Sequence, residues 1–118
     1  MLVLVPTRED VLAIQSVEDA FDLRTTTIKP WEVALIRVAL AEGLLESTLH
    51  ALEAAEDELV PEAAVDRVIA SGRAVSKDIA AGPRQIGINF EGRIRGRRIL
   101  RVKVSWEDCY YVPTVHTV

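Results

Sequence analysis

Apolar positions along this chain change their period once, close to Gly72. Before it they recur every three or four residues, the spacing of one face of a helix; after it they alternate, as along a strand with one buried side. Thr7 with Asp10 resembles a capping box and predicts a helix over 8–22, with Val11, Ile14, Val17 and Phe21 on its apolar side. The apolar residues 2–5 before it are compatible with a short strand or a buried tail. A threonine-rich loop follows, and Pro30 suits the first turn of a second helix, running from Trp31 to about Leu45. Its only charges, Glu32, Arg37 and Glu42, are five apart and form no single solvent stripe. A helix apolar nearly all round is buried on more than one side, so this one is a central helix or a subunit contact.

Gly43 is placed to end or kink that helix. Glu46 then opens a more amphipathic one, to about Leu59, with Leu45, Leu49, Leu52 and Leu59 as its inward side and Glu46, His50, Glu53 and Asp57 opposite. Pro61 starts a fourth helix, with Val65, Val68 and Ile69 inward and Gly72 as its stop.

Beyond Gly72 the pattern predicts a strand from Val75 to Ile79, a turn at Ala81-Gly82-Pro83, and a strand carrying Ile86, Ile88 and Phe90. A hairpin is expected at Glu91-Gly92. Ile99–Trp106 alternates most cleanly, with Leu100, Val102 and Val104 opposed to Arg101 and Lys103. Glu107-Asp108 turns the chain into a last strand, Tyr110 to Val118. Helices followed by a meander predict an α+β domain over 1–118, its N-terminal helices packed on a C-terminal antiparallel sheet.

Charge adds a polarity to this pattern. Residues 1–66 carry 14 acidic and 4 basic side chains, whereas residues 67–118 carry 10 basic and 4 acidic. The acidic excess falls on the helices, and the basic excess on the strands and on Arg93, Arg95, Arg97 and Arg98. Such polarity suits a polyanion partner, an acidic protein partner, or a chain that neutralises itself. No stretch approaches the ~20 apolar residues of a membrane span, and the Met1–Val5 segment is too short for a secretion signal. Cys109 is the only cysteine, so no intrachain disulfide forms; a cytoplasmic setting is expected.

Residues 46–118 resemble a family of short bacterial domains of unknown function related to RelE- and BrnT-like toxins. His50-Ala51 stands at the start of that pattern and Val60 at its isoleucine. Val65, Ile69 and Gly72 match its second helix, Arg73-Ala74-Val75 its first strand, and Val112-Pro113-Thr114-Val115-His116 its closing strand. The chain departs from the pattern at Ala54 and Glu58, where the family carries arginines, and residues 1–45 have no counterpart. The resemblance implies a RelE-like fold and RNA binding, with metal-independent RNA cleavage as the family activity.

Such cleavage needs a base for the 2′-hydroxyl, a cation for the developing phosphorane charge and an acid for the leaving oxygen. The two histidines, His50 and His116, are the candidate acid–base pair, with Arg101 as the catalytic cation. Arg84, Arg93, Arg95, Arg97, Arg98 and Lys103 are candidate phosphate ligands. Tyr110 or Tyr111 is a candidate stacking platform, and Thr114 shares a strand face with His116. No cofactor or metal site is expected. RNA or an acidic protein is the expected partner, and a homo-oligomer is expected through helix 31–45. A non-catalytic interaction or antitoxin-like module is the competing reading.

Overall fold

The computed structural model describes residue 9 and residues 20–80, 86–106 and 110–118. Within them lie α1 (Pro30–Ala41), β1 (Glu46–Ser47), α2 (Leu49–Asp57), α3 (Glu62–Ser71), β2 (Arg73–Asp78), β3 (Gly87–Arg93), β4 (Ile99–Trp106) and β5 (Tyr110–Thr117). The expectations for residues 2–5, for most of helix 8–22, and for the turns at 81–83 and 107–108 lie outside the described residues. So do Arg84 and Cys109.

The chain is α+β, with a five-stranded sheet in the order β1-β5-β4-β3-β2. Strands β2 to β5 form the expected antiparallel meander. The sheet is nevertheless mixed, because β1 runs parallel to β5, with Glu46 opposite Tyr111 and Ser47 opposite Val112. Glu46 therefore begins an edge strand rather than a helix. Thr48 caps α2 instead, its hydroxyl accepting from Ala51 N at 3.1 Å.

Helix α1 starts with Pro30, and the Glu32 carboxylate accepts from Lys29 N at 2.7 Å. It stops earlier than its apolar run suggests. Gly43 takes φ +70°, Gly43 N donates to Leu40 O and Leu44 N donates to Ala39 O. That is a Schellman termination. Helix α2 ends with the same bond pattern, from Leu59 N to Glu56 O and Val60 N to Ala55 O, but a leucine at φ +57° holds the left-handed position.

One sheet face carries Leu100, Val102 and Val104 of β4, Ile88 and Phe90 of β3 and Val115 of β5, all buried. Val65, Val68 and Ile69 of α3 close over it. Fully burying a side chain such as Phe90 or Ile88 contributes roughly 1.5–3 kcal/mol. The approach of α3 is close enough to require glycine. A Cβ on Gly72 would lie 2.7 Å from Glu91 O of β3, and one on Gly92 would lie 3.1 Å from Val68 Cγ2.

The charges of α1 explain why they formed no stripe: two of the three are turned inward. Glu32 is fully buried and binds Lys77 Nζ of β2, itself fully buried, at 3.0 Å. Lys77 also donates to Asp22 O at 2.8 Å. Arg37 reaches over the C-terminal end of α3, donating from Nε to Ile69 O at 3.0 Å and from Nη2 to Gly72 O at 2.8 Å. Its guanidinium lies 5.8 Å from the Phe90 ring centroid, within cation–π range. Arg37 thus satisfies carbonyls that the end of a helix leaves without partners.

On helix α2 the expected outer residues His50, Glu53 and Asp57 are exposed, but the leucines expected to face inward are exposed too. Ala51 is its buried residue and Ala54 and Ala55 are half-buried, whereas Leu49 and Leu52 are 71% and 48% exposed. Small side chains let α2 lie close against β5, where Thr48 N bonds Val112 O and Thr48 Oγ1 donates to Pro113 O. No helix among the described residues is long and apolar enough to cross a membrane.

Candidate functional site

Alternation along β4 turns Arg101 and Lys103 to the sheet face opposite α3, as their spacing predicts. They do not stand there as free cations. Arg101 lies opposite His116 on one side and Glu91 on the other. Its guanidinium grips the Glu91 carboxylate through Nη2 and through Nε at 2.8 Å. Lys103 donates to Asp78 Oδ2 at 3.0 Å, and Asn89 Nδ2 donates to the same oxygen at 3.1 Å and to Ser76 Oγ at 2.9 Å. Burial works against ionisation of Asp78, but the Lys103 and Asn89 hydrogen bonds outweigh it and hold the carboxyl below its ordinary value. The middle of this face is therefore a neutralised ladder running across β2, β3 and β4.

The unneutralised charge lies at one end of the sheet. The β3–β4 turn falls later than Glu91-Gly92, because β3 continues to Arg93 and pairs it with Ile99. Arg98 N donates to Arg95 O at 3.1 Å, and Ile94 N to Arg98 O at 3.0 Å. Gly96 takes φ +61° at the first central position, the form of a type II′ turn. This turn carries Arg95 and Arg97 at the tip, with Arg93 beside them at the end of β3. Arg98 points the other way, donating to Glu58 O at 2.8 Å and to its carboxylate at 3.4 Å.

Beside the tip, a shallow cleft of about 160 Å³ is bounded by Arg67, Ser71 and Gly72 on one side and by Gly92 and Arg93 on the other. Arg73 begins β2 next to it, opposite Glu91. Apart from Lys29 at the start of α1, Arg67, Arg73, Arg93, Arg95 and Arg97 are the cations that make no ion pair or side-chain hydrogen bond among the described residues. All five are exposed. Arg67 and Arg73 were not singled out from the sequence. Their signal is positional: they flank the α3–β2 corner that Gly72 packs against β3.

The other candidates are spread apart. Helix α2 runs alongside β5 from Thr48, beside Val112 and Pro113, to Glu58, whose carboxylate accepts from Thr117 Oγ1 at 3.0 Å. His50 sits at the first end of that path and His116 at the last. His116 also faces away from α2, since its neighbour Thr117 faces toward it. The two histidines do not form a pair. Thr114 is opposite Lys103, on the ladder face. Tyr110 is 1% exposed, edge-on to Phe21 and 4.6 Å from the Trp106 ring centroid, so its ring has no face to offer a base. Burial, with the Glu32 charge adding to it, pushes its hydroxyl far above the ordinary value. Of the chain's aromatic residues, Phe21, Phe90, Trp106, Tyr110 and Tyr111 are buried and Trp31 is half-buried.

No family model, curated protein or solved structure matches the chain. Among the described residues no group of three or more His, Cys, Asp or Glu side chains is placed to hold a metal ion. What the surface offers chemically is a group of planar, permanently charged donors at the rim, suited to phosphate oxygens.

Proposed function

We propose that this protein binds RNA through the sugar–phosphate backbone, using the arginine rim formed by the β3–β4 tip and the α3–β2 corner. The observation that carries this reading is the sorting of cations. Arg98, Arg101, Lys103 and Lys77 are bound to carboxylates, while five exposed arginines at one end of the sheet are left without any. Protein interface cores are enriched in aromatic residues as well as arginine. This rim has arginines without exposed aromatic rings, and guanidinium forks match phosphate. With no exposed aromatic ring to stack bases, recognition is of backbone charge rather than of sequence.

The resemblance of residues 46–118 to the RelE- and BrnT-related domains supports RNA as the polyanion. Its quoted residues include His50-Ala51 in α2, Ile69 and Gly72 at the end of α3, and Val112–His116 in β5. Cleavage is the less supported part of that inheritance. His50 and His116 lie apart, and Arg101 is held by Glu91.

The test is retention of labelled RNA by the purified chain in chelator, using an RNA duplex and two single strands of unrelated sequence. Binding with similar affinity for the two single strands, in the range of about 10⁻⁴–10⁻⁶ M typical of phosphate-driven association, is the expected result. Absence of retention at low salt, or strong preference for one sequence, would defeat the reading.

A further inference from the structure

The stretch from Val38 to Asp66 contains eight carboxylates and neither lysine nor arginine. It includes the end of α1, β1, α2 and the first half of α3, and these elements enclose a second concavity. This groove, of about 320 Å³, is lined by Leu40, Leu45, Leu52 and Val112, with Glu62 and Asp66 of α3 as its charged wall. Leu49, one turn before Leu52 on α2, extends the apolar strip outward at 71% exposure. A volume of this size lies within the range of binding clefts.

Two features of the groove run against what folding alone favours. Helix α2 buries alanines and turns its leucines to water, although burial of a leucine stabilises a fold by roughly 1.5–3 kcal/mol. Glu62 and Asp66 are four residues apart on one helix, a like-charge pair that destabilises. Neither forms an ion pair among the described residues. Partial burial and the Glu62 charge push the Asp66 carboxyl above its ordinary value. Both features are relieved by an occupant that is apolar on one side and cationic on the other.

We propose that this groove is the docking site for a basic amphipathic helical segment of another protein, its apolar residues on Leu49, Leu52 and the groove floor and its lysines or arginines on Glu62 and Asp66. Charge selects this occupant. A second copy applying the same face to itself would bring the carboxylates of one stretch against those of the other, and like charges across an interface oppose association. Helix-in-groove recognition takes anchors at three- and four-residue spacing, which the Leu49–Leu52 strip and the floor beyond it can receive. The proposal is independent of the RNA reading and uses none of the rim arginines.

The probe is a fluorescent leucine–lysine amphipathic peptide about 15 residues long, near the length at which isolated helices become marginal. Two controls accompany it, a scrambled peptide of the same composition and a leucine–glutamate peptide. Anisotropy titration of the full chain is compared with Leu49→Ser/Leu52→Ser and with Glu62→Gln/Asp66→Asn, pairs whose exposure lets the fold persist, as thermal melting checks. Saturable binding of the amphipathic cationic peptide alone, weakened by about tenfold in each double variant, is the expected result. RNA retention is unchanged in both variants. Equal binding of the scrambled peptide, or equal affinity in the variants, overturns the proposal. So does concentration-dependent self-association in sedimentation that Leu49→Ser/Leu52→Ser abolishes, because a second copy would then cover the face.

Discussion

The arginine rim makes a quantitative statement about salt. Each phosphate neutralised on binding releases condensed counterions, so the logarithm of affinity falls linearly with the logarithm of salt concentration. If all five rim arginines engage, the slope is about −4.5 on duplex RNA treated like duplex DNA, and about −3.5 on a single strand. Between about 50 and 200 mM salt, the duplex affinity then drops about 500-fold. Replacing Arg93, Arg95 and Arg97 by alanine leaves two contacts, a slope of about −1.8 and a drop of about tenfold over the same interval. Arg101→Ala is the decisive comparison. It removes one formal charge, as the loss of any single rim arginine would, but Glu91 already holds that guanidinium through Nε at 2.8 Å. Its slope should stay close to that of the parent. Anisotropy titrations of labelled RNA at four or more salt concentrations give the three slopes directly. A triple variant with an unchanged slope, or Arg101→Ala flattening it as much as a rim arginine does, would refute the sorting of cations on which the reading depends.

Other consequences concern the fold. Lys77→Met should cost about 3–5 kcal/mol in chemical denaturation, because it leaves the Glu32 carboxylate buried without its cation. Adding Glu32→Gln should recover part of that loss by removing the buried charge, although Lys29 N and Asp22 N donate to different carboxylate oxygens and the single amide oxygen can keep only one of the two bonds; a double variant as unstable as the sum of the singles would contradict it. Leu59→Gly should raise stability by about 0.5–1 kcal/mol by relieving the left-handed backbone at φ +57°, and a lowered melting temperature would show that the leucine is held there by packing. Asp78 has a folded pKa below its unfolded one, so its stabilising effect is present above the unfolded value of about 3.9 and is lost as pH falls through the folded value. Asp78→Asn should therefore flatten the acid limb of the stability curve below about pH 4, and an identical limb in the variant would rule out the Lys103–Asp78 pair as its source.

Legibility of the sequence varied with how local each signal was. Strand β4 is bounded at Ile99 and Trp106, where the alternation of Leu100, Val102 and Val104 starts and stops. The stop at Gly43 is likewise a local matter of backbone conformation. Strand β1 has no such signature: Glu46 and Ser47 are polar, exposed and only two residues long, and they pair through backbone groups with a distant strand. The orientation of α2 was hidden for a different reason. Leu49 and Leu52 have the spacing of a buried stripe, and periodicity cannot tell a face that meets the core from one that meets solvent. Placing the hairpin at Glu91-Gly92 also concealed the ion pairs of the ladder. Pairing of β3 with β4 about Gly96 sets Glu91 opposite Arg101, so the glycine at the left-handed position of the turn was the clue to the neutralised face.

The two-residue strand β1 has a consequence for the order in which the molecule is built. Its partner β5 lies 65 positions further along, from Glu46 to Tyr111 and from Ser47 to Val112. The hairpins joining β2, β3, β4 and β5 close short loops, but β1 must wait until the whole meander has emerged and zipped. Helix α2 waits with it, because Thr48 N and Thr48 Oγ1 find their acceptors only on Val112 and Pro113. Pairings between such distant segments are slow to form, since loop closure is opposed by entropy before the contact rewards it. During synthesis the leucines and carboxylates of α2 therefore precede any docked fold. The edge strand acts as the latch that is thrown last.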